Sequence, residues 1–227
     1  PGFDAERAAA YDVHIRRISP GYDTLHDHLT SLFREALPPS AHILVVGAGT
    51  GAEIERLGRE GPGWQFTAID PSPDMLAVCA DRVEADGMAH RVRYVDGTTA
   101  DAPADLFDAA TSICVAHFVL DPEARVSFFA DIAERLRPDA PFVHADLFHP
   151  GTDSAFGHLM TAWEYAVRRA GMAEDAASAF FQRVDQNVCL ADEATLTRET
   201  TAAGFGPRIR FHHSLLWGAW LTHRLAG

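Results

Sequence analysis

The chain has 227 residues, 47% of them hydrophobic, enough to bury a core in one large domain. Nineteen basic residues, every one Arg, stand against 32 Asp and Glu for a net charge of −13. A surface of that sign repels phosphate backbones, and no apolar run approaches the roughly 18 residues of a membrane span, so neither nucleic acid nor a membrane is the expected partner. Cys79, Cys114 and Cys189 are an odd number without paired spacing, which fits reduced thiols in a cytoplasm better than disulfides or zinc. A small molecule is the default partner.

Residues 4–18 have helical spacing, and Pro20 and Gly21 then break the chain. A second amphipathic helix over 22–36 places Leu25, Leu29, Leu32 and Phe33 on one face. Short apolar runs then alternate with longer helical stretches. "AHILVVG" reads as a strand, 51–60 as a helix, "WQFTAID" as a strand and 73–86 as a helix. "RVRYVD" and "FDAATSICVA" read as the third and fourth strands, 123–136 as a helix and "FVHADLF" as the fifth strand. That rhythm predicts right-handed βαβ units and a parallel sheet covered on both faces. After Pro150 come helices over 153–171, 174–184 and 192–203, then two strands with a turn near Trp217 and Gly218. The expected whole is a single doubly wound α/β domain over 1–227, with amino-terminal helices over 1–38 as a lid and a helical insertion over 151–190.

"HILVVGAGTGAEI" carries the chemistry. Gly47, Gly49 and Gly51 follow a strand and open a helix, where a turning backbone and free N–H groups cradle a nucleotide-like cofactor. Asp70 ends the second strand 23 residues after Gly47, placed to take ribose hydroxyls. These features alone leave NAD and S-adenosylmethionine (SAM) unseparated. Three more favour SAM. "AIDPSPDML" starts a helix directly after the acid, with Pro71, Met75 and Leu76 beside an adenine; Asp96 and Gly97 end the third strand, where an acid can accept from the adenine amino group; and only about 75 residues remain for a substrate domain.

In these motifs the chain resembles the class I SAM-dependent methyltransferases over roughly 40–150 and the closing strands. The resemblance implies a mostly parallel, seven-stranded Rossmann-like sheet with its last strand antiparallel. SAM would lie over the carboxyl ends of strands one to four, touching Gly47, Ala48, Gly49, Gly51, Val115 and His117. The flanks, "FDAERAAAYDVHIRRISPGYDTL" and "QNVCLADEATLTRETTAAGF", are similar to the carboxy-SAM synthase family, which makes carboxy-SAM from SAM and prephenate. That similarity implies cofactor contact for Tyr22 and a carboxylate grip for Arg183, which sits one residue out of step with the family pattern. The family's Asn at the end of the fourth strand is replaced here by His117 in "HFVL".

His117 leaves the fourth strand beside the expected methyl group, as a general base or as a ring lining the cofactor. His144, Asp146 and His149 form a second cluster, in which Asp146 reads as a substrate-facing acid rather than a metal ligand; no metal is expected. Arg16, Arg17 and Arg183 are the anion clamps if the substrate is a carboxylate. The aromatic-rich stretch 156–181 reads as a lid or a homodimer face. The leading expectation is a cytoplasmic methyltransferase acting on a small molecule. Behind it stand a carboxy-SAM synthase-like enzyme, a non-catalytic SAM-binding module and a nicotinamide oxidoreductase.

Overall fold

The computed structural model describes residues 4–226; positions 1–3 and 227, which include the start of the expected lid and of the amino-terminal flank, lie outside them. Helices α1 (Ala5–Ile18) and α2 (Tyr22–Ala36) precede β1 (His42–Val46), α3 (Ala52–Glu60), β2 (Gln65–Asp70), α4 (Pro73–Ala85) and β3 (Val92–Asp96). Then come β4 (Ala109–Ile113), α5 (Pro122–Glu134), β5 (Pro141–Leu147), α6 (Asp153–Arg169), α7 (Glu174–Asn187), α8 (Glu193–Ala202), β6 (Ile209–Ser214) and β7 (Trp217–His223). Five of the helices start where the sequence offers a side-chain cap. Asp4, Ser72, Asp121, Thr152 and Asp192 each accept from a backbone N–H of the first turn. Such a cap stabilises by about 1 kcal/mol.

The sheet has the order β3-β2-β1-β4-β5-β7-β6, parallel from β3 to β5, with β7 antiparallel to both neighbours. β1 is apolar throughout its buried length because helices cover both faces. Its residues alternate between two cores. Ile43 and Val45 pack with α2, α3, α4, α6 and α7, while Leu44 and Val46 pack with Phe129 and Ile132 of α5 and with Phe205. The chain runs outward from β1 to β3 and returns to β4 on the other side of β1. A crevice therefore opens over the carboxyl ends of β1 and β4, where doubly wound sheets bind ligands.

Several expected boundaries move by a few residues, two of them for a visible reason. The hairpin turns at Leu215–Leu216, not at Trp217–Gly218: Ser214 pairs with Trp217, and Leu215 has φ 54°. Gly218 lies within β7, where a Cβ would meet the Trp220 ring at 2.5 Å, so this glycine serves packing. The fourth strand ends at Ile113, short of the expected 116, because Cys114 turns to φ 63°. One turn of 3-10 helix, Ala116–Phe118, follows and carries His117.

Candidate cofactor and active site

The loop after β1 requires its glycines. Gly47, Gly49 and Gly51 have φ of 68°, 52° and 80°. A Cβ on Gly47 would lie 2.3 Å from Val115 Cγ2, and one on Gly51 would lie 2.6 Å from Cys79 Sγ. Asp70 fastens this loop to the end of β2: Gly49 N–H donates to Oδ2 and Ser72 N–H to Oδ1, each at 2.9 Å. Burial raises the Asp70 pKa, and these two hydrogen bonds partly offset that.

Tyr11 of α1 and Tyr22 of α2 close over the loop, leaving a cavity of ≈ 20 Å³ lined by both rings, Gly47, Ala48, Gly49, Thr50, Ala52, Glu53 and Ile113. That space holds about one water, whereas a drug-sized ligand needs some 300 Å³ or more. Asp12 holds α1 down. Its carboxylate accepts from Thr50 Oγ1 at 2.6 Å and pairs with Arg82 of α4. Tyr11, Asp12, Thr50 and Glu53 were not legible as site residues, although Glu53 stands among Ala52, Ile54 and Leu57 on a buried helix face, an odd place for an acid. Glu53 is 5% exposed and its Oε1 has no hydrogen-bond partner. Burial pushes its carboxyl up to about 7, and the Thr111 hydroxyl acts against that.

At the end of β4, His117 and Asp146 meet. His117 Nδ1 lies 3.0 Å from Asp146 Oδ1, and the His117 backbone N–H donates to the same oxygen at 3.1 Å. His144 Nδ1 reaches Oδ2 at 3.2 Å. Burial acts to raise the Asp146 pKa, but the bonds from His117 and His144 outweigh it and hold the carboxyl below its ordinary range. Asp146 therefore does not face a substrate: it is 1% exposed, with both oxygens taken by imidazoles. Leu147 N–H also approaches His117 Nδ1, at 3.4 Å, but the Asp146 contact is the shorter; with Nδ1 as donor to that carboxylate, His117 Nε2 is left as the acceptor.

The other expected residues divide. Leu76 joins the main core, leaving Met75, which is also buried, at the start of α4. Pro71 and Asp96 are exposed beside Asp70, and Gly97 N–H donates to the Asp70 carbonyl at 3.1 Å. Arg16 is paired with Asp23 at 3.1 Å and so is not a free anion clamp. Arg17 and Arg183 are exposed on α1 and α7 and flank His14, whose pKa is lowered chiefly by burial and then by these two arginines. His149 lies apart from His144, stacked on Phe156 at 4.9 Å. Among the described residues, no group of three or more His, Cys, Asp or Glu is arranged to hold a metal. Trp163 is fully buried, with its indole N–H donating to Ile18 O at 2.5 Å, so the middle of 156–181 belongs to the core.

A turn of left-handed glycines that stands open at the Gly49 Cβ position, and a buried carboxyl oxygen without a partner beside it, fit a nucleoside bearing a cationic arm. Residues 43–139 match the family described as "Methyltransferase domain". The carboxy-S-adenosyl-L-methionine synthase of Ectopseudomonas mendocina is 28% identical over 211 residues, covering 89% of this chain and 84% of the relative. That of Klebsiella pneumoniae is 24% identical over 223 residues, covering 95% and 85%. Among solved structures, a putative O-methyltransferase from Nostoc punctiforme superposes with a TM-score of 0.70 at 15% identity, over 97% of this chain and 59% of that one. The N-methyltransferase NodS from Bradyrhizobium japonicum, solved with S-adenosylhomocysteine (SAH), gives 0.61 at 16% identity, over 90% and 88%. Residues 43–139 carry a methyltransferase domain and the chain has the class I methyltransferase fold; it is a SAM-dependent enzyme, and SAM is its cofactor.

Proposed function

We propose that the enzyme transfers a methyl group to a small-molecule acceptor, with His117 as the general base and Asp146 as the residue that orients it. SAM supplies an electrophilic methyl on a good leaving group, which leaves the protein to align the acceptor and take its proton. The observation that carries this reading is the buried 3.0 Å contact between His117 Nδ1 and Asp146 Oδ1 at the end of β4. Asp146 fixes the imidazole tautomer, so that Nε2 can accept the acceptor's proton as the methyl arrives. Alignment supplies up to roughly 7–11 kcal/mol, and the base a further factor of about 10²–10⁴. Tyr11 and Tyr22 act as a lid over the cofactor, released when the Asp12 contacts break. Gly47, Ala48, Gly49, Gly51, Asp70, Pro71, Met75, Asp96, Gly97 and Val115 frame the cofactor in this reading. Three free cysteines, two of them buried, favour a cytoplasmic setting. No helix among the described residues is long and apolar enough to cross a membrane. The test is transfer of label from methyl-labelled SAM to a panel of phenols, amines and carboxylic acids, by wild type and by His117→Gln. Label on an acceptor with wild type, and a loss of about 100-fold or more in the variant, is the expected result.

A second reading, a carboxy-SAM synthase-like reaction with SAM and prephenate, is favoured by the full-length relatives of that name and by Arg17 and Arg183 flanking His14. Arg183→Ala should then abolish selectivity for a carboxylate-bearing ligand and spare SAM binding. Unchanged selectivity would remove this reading.

A further inference from the structure

Glu53 has no counterpart among the residues that hold the loop or the base. It is the second residue of α3, lines the cavity against the glycines, and is buried with Oε1 unpartnered. Tyr11 of α1, Tyr22 of α2, Cys79 of α4 and Cys114 beyond β4 are the titratable groups that feel its charge. All four are acids that burial keeps protonated, and among the described residues no Arg or His offsets a carboxylate there. Thr111 of β4 lies beside it, and its hydroxyl acts against the rise in the Glu53 pKa. A buried acceptor in such surroundings is costly unless a charged donor comes to it.

The cofactor's amino-acid arm offers two positive centres. The sulfonium has no N–H, whereas the α-ammonium has three donors, so only the ammonium answers an unpartnered oxygen. We infer that Glu53 is the residue that recognises the cofactor's α-ammonium group, and that it loses its proton when the cofactor binds. The inference depends on SAM as cofactor and not on the identity of the acceptor. The proton balance is simple: the carboxylic acid of the empty site becomes a carboxylate paired with the ammonium, and one proton passes to solvent.

The sign follows from the empty site's value of about 7. Below that pH, binding must first remove the proton, so affinity falls by nearly tenfold per pH unit as the pH drops; above it, affinity is flat. The experiment is calorimetric titration of the full chain at pH 6.5 in two buffers of different protonation enthalpy. The probes are SAH and 5′-methylthioadenosine, the related thioether nucleoside without the amino-acid arm. SAH should release most of one proton and methylthioadenosine none. In Glu53→Gln, SAH should release none and bind about tenfold or more weakly at pH 8, with methylthioadenosine unchanged. Equal proton release by the two probes in wild type overturns the inference, and this comparison stands even if the variant does not fold. Undiminished release of protons by Glu53→Gln overturns it as well. If neither probe binds, the cofactor assignment falls and the inference falls with it.

Discussion

His117 Nδ1 and Asp146 Oδ1 lie 3.0 Å apart with both side chains almost wholly buried, and the second oxygen of Asp146 is held by His144. One carboxylate therefore orients two imidazoles, of which His117 packs against Phe118 and Trp217 and His144 is stacked between Phe142 and Trp220. If Asp146 acts by positioning, Asp146→Asn should lower kcat by about 10–100-fold and leave SAH affinity nearly unchanged. It should also alter the pH profile of kcat, a change that a purely structural role would not produce. Equal losses in kcat and in SAH binding, with an unchanged profile, would speak for structure alone.

The glycine loop yields a graded prediction. Gly47→Ala faces both a positive φ and a 2.3 Å approach to Val115, and Gly51→Ala faces Cys79 at 2.6 Å. Gly49→Ala meets nothing closer than 3.9 Å and carries only the left-handed backbone cost of roughly 1–2 kcal/mol. SAH binding measured by calorimetry should thus be lost in the first two and weakened by about tenfold or so in the third.

Asp12 joins α1 to Thr50 and Arg82 and touches no part of the expected chemistry. Asp12→Asn should open the lid more often. Stopped-flow release and uptake of SAH should both accelerate, by about 3–10-fold, because the closed cavity permits neither. A slower release would contradict the lid.

His26 is buried beneath Tyr22, with Nδ1 2.8 Å from the Tyr22 carbonyl, and burial holds its pKa down at about 4. A lowered value means that the folded state resists protonation. The stability it confers is therefore complete above the unfolded value near 6.5 and is lost as the pH falls toward 4. The loss approaches about 3 kcal/mol, at 1.36 kcal/mol per pH unit. Urea denaturation should show this decline between pH 6.5 and 4 in wild type and a much smaller one in His26→Phe.

Arg125 of α5 and Glu199 of α8 form a buried pair, Nε to Oε2 at 2.8 Å and Nη2 to Oε1 at 2.5 Å, and Arg125 Nη1 also donates to the Val119 carbonyl. Glu199→Ala leaves an unpaired buried guanidinium and should cost about 3–5 kcal/mol in urea denaturation. SAH affinity of the folded fraction should not change.

The strands and helices of the core were legible because local signals agreed: apolar runs of strand length, side-chain caps and glycines at a strand-to-helix turn. The carboxyl end of β4 was not, since the departure from extended backbone rests on Cys114 at positive φ, a residue with no such preference. Asp146 looked substrate-facing because its position at a strand end is visible in sequence; His144, two residues before it on β5, is visible too, but His117, which takes its other oxygen, comes from a separate element. Glu53 was missed for the opposite reason. Its neighbours Ala52 and Ile54 mark a buried face, but what an acid does there depends on Tyr11 and Tyr22, which sequence alone does not bring to it.

The most direct measurement is mass spectrometry of the small molecules released when the purified, undialysed protein is denatured. The account predicts SAM or SAH and no carboxy-SAM. Carboxy-SAM as the carried molecule would contradict methyl transfer to an acceptor and would turn attention to Arg183 and Tyr22.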